Sequence, residues 1–169
     1  MTNYFDFFGI PVSPSVDKAA LKKTFYANSK RFHPDFHTLK SETERENALE
    51  QSTLNNQGYK LLLDDDRRLY HLLSLKGVLG EEGSNTVPQD FLMEIMDVNE
   101  ALMELEFDDD PAARKKVNGL INEIAANLEA SVTDLIKQYD DATVSPADLE
   151  QLKDYYLKKR YLLRLRGKI

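Results

Sequence analysis

The side chains of this chain best equipped to act on another molecule begin at His33-Pro34-Asp35. An imidazole and a carboxylate two residues apart can move protons, hold a metal ion or pair with a charged partner. Acid–base catalysis would need a nucleophile or an oxyanion-stabilising loop beside them. Neither accompanies the triplet, and groups two apart in sequence rarely form a catalytic dyad. A metal site would need more ligands. His37 lies four residues after His33, but Pro34 breaks the helix that would bring both onto one face, and no third ligand is near. The chain has no cysteine, which removes disulfides, zinc–thiolate sites, thiol catalysis and cysteine-ligated clusters. What remains is recognition. Asp35 can pair with an arginine on a partner, and the competing possibility is that His33 and Asp35 only cap a loop.

Other clusters are poorer candidates. Asp64-Asp65-Asp66 and Asp108-Asp109-Asp110 lack the spaced ligands and terminal Glu of a calcium loop and suit helix starts or turns. No GxxxxGK[ST] loop occurs, so an ATP site of that kind is not expected. The reading is therefore of a non-enzyme with no catalytic residue, no cofactor and no metal. His71 is assigned to the packing of its own helix or to a domain interface.

The elements that must position His33-Pro34-Asp35 read as helices. Between Val16 and Phe32, the residues Leu21, Phe25 and Phe32 fall within about 40° of one helical face. Lys22, Lys23, Tyr26, Lys30 and Arg31 lie on the opposite side, so an apolar inner face backs a cationic outer one. Ser13-Pro14-Ser15 or Asp17 could cap this helix, and Pro34 ends it at Phe32 or His33. A further helix is expected from about Glu42 to Leu63, with a rather polar seam of Ala48, Ser52, Asn55, Tyr59 and Leu62. A short one follows, from about Arg67 to Lys76.

Gly77–Val87, with three glycines and few apolar residues, reads as a linker or long turn. Three long amphipathic helices follow, at about 88–106, 111–139 and 146–166. Ser145, Pro146 and Asp148 mark the start of the last. Short connections between such helices make a three-helix bundle. The first carries more apolar residues than one core stripe uses. Phe91, Ile95, Val98, Leu102 and Leu105 suffice to bury it, while Leu92, Met93 and Met96 sit to one side among Glu94, Asp97 and Glu100. An exposed apolar patch with an acidic rim marks a partner surface, unless Leu92 and Met96 pack against other helices.

Composition narrows the class. Hydrophobic residues make up 41% and charged residues 30%, the balance of a soluble folded protein, and few glycines and prolines disfavour an all-β fold. The net charge of −7 lies in residues 76–169, since residues 1–75 balance ten basic against ten acidic side chains. That half is a poor nucleic-acid ligand, despite the basic end Lys158, Lys159, Arg160, Arg164 and Arg166. No apolar run approaches a membrane span and the N-terminus has no leader-like pattern, so a cytoplasmic protein without membrane contact is expected.

Tyr4-Phe5-Asp6-Phe7-Phe8-Gly9-Ile10, the basic helix, His33-Pro34-Asp35 and Asn56-Gln57-Gly58-Tyr59 together resemble a J-domain. The continuation through Tyr70-His71-Leu72-Leu73-Ser74-Leu75-Lys76-Gly77 and Phe91-Leu92-Met93-Glu94 is similar to the HscB subfamily of J-domain co-chaperones, over nearly the whole chain. The resemblance implies an all-α protein with a J-domain at 1–76, a linker at 77–87 and a scaffold-binding three-helix bundle at 88–169. It implies two partners. A DnaK-type (HscA-like) chaperone ATPase would be engaged and stimulated through His33, Pro34 and Asp35, helped by Lys22, Lys23, Tyr26, Lys30 and Arg31. An IscU-like iron–sulfur scaffold protein would be held by Leu92, Met93, Met96, Asp97 and Glu100, with Tyr156 from the last helix. The alternative within the same class is a J-domain protein serving a different client. The chain departs from the family pattern at Phe36, where a basic residue is common, and at Asn55, where an apolar one is usual.

Overall fold

Caps written in the sequence open most of the helices. The computed structural model describes Met1–Ile169, and its regular elements are all helical. They are α1 (Tyr4–Phe7), α2 (Lys18–Arg31), α3 (Glu42–Leu63), α4 (Asp65–Leu75), α5 (Gln89–Glu94), α6 (Met96–Phe107), α7 (Pro111–Lys137) and α8 (Pro146–Arg166), with a 3₁₀ turn at Pro34–Phe36. Of the cap candidates before α2, Asp17 is the one that acts, accepting from the Ala20 N–H at 3.0 Å. Ser41 and Glu44 form a reciprocal capping box at α3, which also fixes the exit of the preceding loop. Asp64 caps α4, Asp110 with Pro111 opens α7, and Ser145 with Pro146 opens α8.

The chain divides into two compact units. The first comprises Met1–Lys76 with Tyr139–Thr143. In it α2 and α3 form a helical hairpin, and α1 and α4 pack against α3. Its core is Phe5, Phe8, Leu21, Ala48, Leu62, Leu69, Leu72 and Leu73. Phe25 and Phe32 complete the inner face of α2 half-buried, Phe25 stacking on Tyr59 with ring centroids 4.1 Å apart. Three buried polar side chains tie the helices together. Arg68 donates to the carbonyls of Pro14 and Leu62 and to Asp65. His71 accepts the Tyr4 N–H at 3.2 Å and stacks on Phe5. Asn55 joins α3 to α2. No buried side-chain polar atom lacks a partner.

The second unit comprises Gly77–Gln138 and Val144–Ile169. Its opening segment closes on itself, Asn85 pairing its amide with both main-chain groups of Gly80. α5–α6, α7 and α8 then form a three-helix bundle around Phe91, Ile95, Val98, Leu102, Leu105, Val117, Ile121, Ile124, Leu162 and Leu165. The apolar stripe expected on the first bundle helix is the stripe that is buried. That helix is interrupted at Ile95, whose φ of −87° and ψ of 3° separate α5 from α6. No Pro or Gly lies between Gln89 and Phe107 to announce the break. The hydrogen bonds Ile95 N–H to Phe91 O and Asn99 N–H to Ile95 O carry the chain across it.

Candidate functional site

α2 delivers its C-terminus to an exposed turn. Lys22, Lys23, Tyr26, Lys30 and Arg31 are all exposed along its outer face. The cation–π approach of Lys22 to Tyr26 and that of Arg31 to Phe32 order parts of this face without neutralising it. His33, Pro34 and Asp35 follow, also exposed. The turn is held by its own atoms. His33 Nδ1 accepts the Asp35 N–H at 3.2 Å, the Phe36 N–H reaches the His33 carbonyl at 3.1 Å, and His37 Nε2 lies 3.0 Å from the Arg31 carbonyl. Pro34 sits at the first position of the 3₁₀ turn, where its fixed φ fits and no N–H is needed.

With Nδ1 accepting a main-chain N–H, neutral His33 carries its proton on Nε2. Its Nδ1 also lies 3.5 Å from Asp35 Oδ2, and the Asp35 side chain remains 83% exposed. So loop capping by His33 does not consume the Asp35 carboxylate, and the geometry accommodates both readings. The imidazole fixes the peptide of Asp35 while the carboxylate stays available to a cation from outside. His33 and His37 bond to different main-chain groups, and no cluster of three or more potential metal ligands is present.

The second candidate surface is on the outside of the bundle. Leu92, Met93 and Met96 are 41%, 66% and 62% exposed, and Asp97 and Glu100 beside them are also exposed. α8 meets α5 at Phe91, against which Tyr161 packs edge-on and Lys158 places its ammonium. Burial raises the Asp154 carboxyl above the ordinary range, with the Lys158 charge opposing that shift. Tyr156 is half-buried on α8. It lies roughly 160° around the helix from Lys158, on a different flank from the side chains that meet α5. Five of the six scaffold candidates thus share α5–α6, and Tyr156 belongs to another element and direction.

Sequence reasoning passed over two residues on the same outer face. Met103 and Phe107 stand seven and eleven positions after Met96 and are exposed. That spacing was a usable signal, since both positions return to the line of Met96 within about 20°.

Residues 87–169 match the family described as the HSCB C-terminal oligomerisation domain. The co-chaperone protein HscB homolog of Vibrio cholerae serotype O1 is 38% identical over 112 residues, which span 66% of this chain and 66% of that protein. The human iron–sulfur cluster co-chaperone protein HscB is 30% identical over 168 residues, 99% of this chain and 67% of the human protein. Among solved structures, the chaperone HscB from Vibrio cholerae superposes with a TM-score of 0.75 at 29% identity, over 98% of this chain and 94% of that one. The likeness therefore extends across both units and is not confined to the bundle.

Proposed function

The chain belongs to the HscB family of iron–sulfur co-chaperones, and on that footing we propose that it stimulates the ATPase of a DnaK-type (HscA-like) chaperone and delivers an IscU-like iron–sulfur scaffold protein to it, promoting cluster transfer. Residues 1–76 serve as the J-domain, 77–87 as the linker and 88–169 as the scaffold-binding bundle.

The observation that carries this reading is the exposed Asp35 carboxylate on a turn pinned by His33. A carboxylate carried on a main chain already held in place loses less freedom when it pairs with an arginine of the chaperone, and such charge-assisted bonds are among the stronger ones. The cationic face of α2 draws in an acidic surface and raises the encounter rate. Hydrolysis itself belongs to the chaperone; this chain contributes recognition at two places. Because one molecule holds both partners, the scaffold is presented at a raised effective concentration. The exposed Leu92, Met93 and Met96, with Asp97 and Glu100, support the second contact.

Single-turnover ATP hydrolysis by the chaperone, with wild-type protein or His33→Gln and with or without scaffold, tests the reading. Stimulation by wild type, its loss in His33→Gln and its enhancement by scaffold are expected. Stimulation indifferent to scaffold would point to another client, and no stimulation at all would reduce the His33 turn to a loop.

A further inference from the structure

We infer that the scaffold-binding surface continues past Met96 along the whole of α6, so that Met103 and Phe107 are contact residues for the scaffold protein. The inference rests on the scaffold-delivery reading and enlarges its site.

Met96, Met103 and Phe107 form a line parallel to the axis of α6, on the side away from Val98, Leu102 and Leu105, which are buried in the bundle. Met103 is 61% exposed and Phe107 is 90% exposed. Leu92, Met93, Met96, Met103 and Phe107 make five of the thirteen exposed large hydrophobic residues of the chain, gathered within α5 and α6. Within α6, from Met96 to Phe107, the ridge is about 16 Å long. A continuous apolar strip on a solvent-facing helix is a partner surface rather than the scattered exposure normal for a folded protein. Thioether side chains at three of its positions, Met93, Met96 and Met103, adapt to an irregular groove, and the aromatic at its end supplies a rigid anchor.

The flank of the ridge states the chemistry of its occupant. Asp97, Glu100 and Glu104 are exposed and lie between about 40° and 100° to one side of it. Only Glu104 has an ion pair among them, with Lys116 at 3.6 Å. Glu106, also exposed, lies about 80° to the other side, so the complementary partner is an apolar groove bordered by lysine or arginine, most of them along one edge. A second copy of this chain docked ridge to ridge would bring the same acids against themselves, so charge disfavours that pairing.

Calorimetric titration of scaffold protein into the full chain separates the possibilities, comparing wild type, Leu92→Ala/Met93→Ala and Met103→Ala/Phe107→Ala, with sedimentation of each alone. Weakening of about tenfold in Met103→Ala/Phe107→Ala is expected, with an unchanged melting curve, because both side chains face solvent. Should that pair melt early, Phe107→Gln alone carries the comparison. Unchanged affinity in the Met103/Phe107 variant beside weakened binding in the Leu92/Met93 variant would end the ridge at Met96 and leave scaffold delivery standing. No binding by wild type would overturn both, and binding indifferent to every variant would place the scaffold on another surface and overturn the inference while scaffold delivery stands. Self-association of wild type that disappears in the Met103/Phe107 variant would assign the ridge to a second copy and overturn the inference.

Discussion

The side-chain amide of Asn55 donates to the main-chain carbonyl of Phe25 at 3.1 Å, fastening the middle of α3 to the helix that carries the cationic face. The same amide reaches Ser29 Oγ at 3.2 Å, and Asn28 donates to the Asn55 carbonyl oxygen at 3.1 Å. Asn55 is fully buried, so these bonds form where water cannot replace them. A polar clamp of this kind has one good register, whereas an apolar contact tolerates sliding. Asn55→Ala removes all three bonds and leaves Asn28 and Ser29 short of a partner. A loss of about 2 kcal/mol in the stability of the first unit is expected in urea unfolding. A loss below about 0.5 kcal/mol would mean that water enters and replaces the clamp.

Gly58 faces α1 with no room for a methyl group. A Cβ there would stand 2.5 Å from Tyr4 Cδ1 and 2.8 Å from Phe8 Cε2. Both rings are held, Phe8 by burial and Tyr4 by its ring contact with His71 and its hydroxyl bond to Gln57. Gly58→Ala gains helix propensity worth about 1 kcal/mol but forces α1 away from α3. Overpacking of this type costs roughly 1–3 kcal/mol, so the net expectation is a lower melting temperature with exposure of Phe5 and Phe8. A variant as stable as wild type would show that α1 can shift at little cost.

Much of this architecture is legible in the sequence because helical periodicity and capping are local. The stripe from Phe91 to Leu105, the Ser145-Pro146 start and the end of α2 before Pro34 all follow from residues within a few positions of one another. What escaped reading depends on distant partners. Arg68 looks like one more charged residue of α4, yet it is buried because the Pro14 carbonyl, far away in sequence, waits for it. Asn55 reads as a departure from an apolar position until α2 brings Asn28 and the Phe25 carbonyl to it. The break at Ile95 has no local marker at all. In the candidate sites, the exposure of Leu92 and Met96 was open from sequence because a wide apolar stripe can serve either a core or a partner, and only packing decides between them.

His71 makes the first unit sensitive to acid. Burial lowers its pKa below the ordinary value of 6.5, and its Nε2 must stay unprotonated to accept the Tyr4 N–H. The unfolded chain therefore binds a proton more readily than the folded one. By linkage, stability is full above the unfolded value and declines as pH falls through about 6.5. Thermal unfolding should show a lower midpoint at pH 5.5 than at pH 7.5, roughly one unit to either side of that value. His71→Gln, which can still accept the N–H through its carbonyl oxygen, should flatten this dependence. An equally steep profile in the variant would assign the acid sensitivity to carboxylates instead.

The cationic face of α2 and the His33 turn should separate kinetically. Lys30 and Arg31 are exposed and sit just before the turn, so they act on an approaching acidic partner through the solvent. Lys30→Glu/Arg31→Glu should slow association with the chaperone by about tenfold at low ionic strength. Salt screens exposed charges over a Debye length of about 8 Å at physiological ionic strength and less above it, so the deficit should shrink at high salt. His33→Gln leaves the charge of the face intact and should associate at nearly the wild-type rate while failing to stimulate hydrolysis. Stopped-flow association across a salt series, read beside single-turnover hydrolysis, resolves the two. A charge-reversal deficit that persists undiminished at high salt would mean that Lys30 and Arg31 make direct, desolvated contacts in the complex, and the steering account would fall.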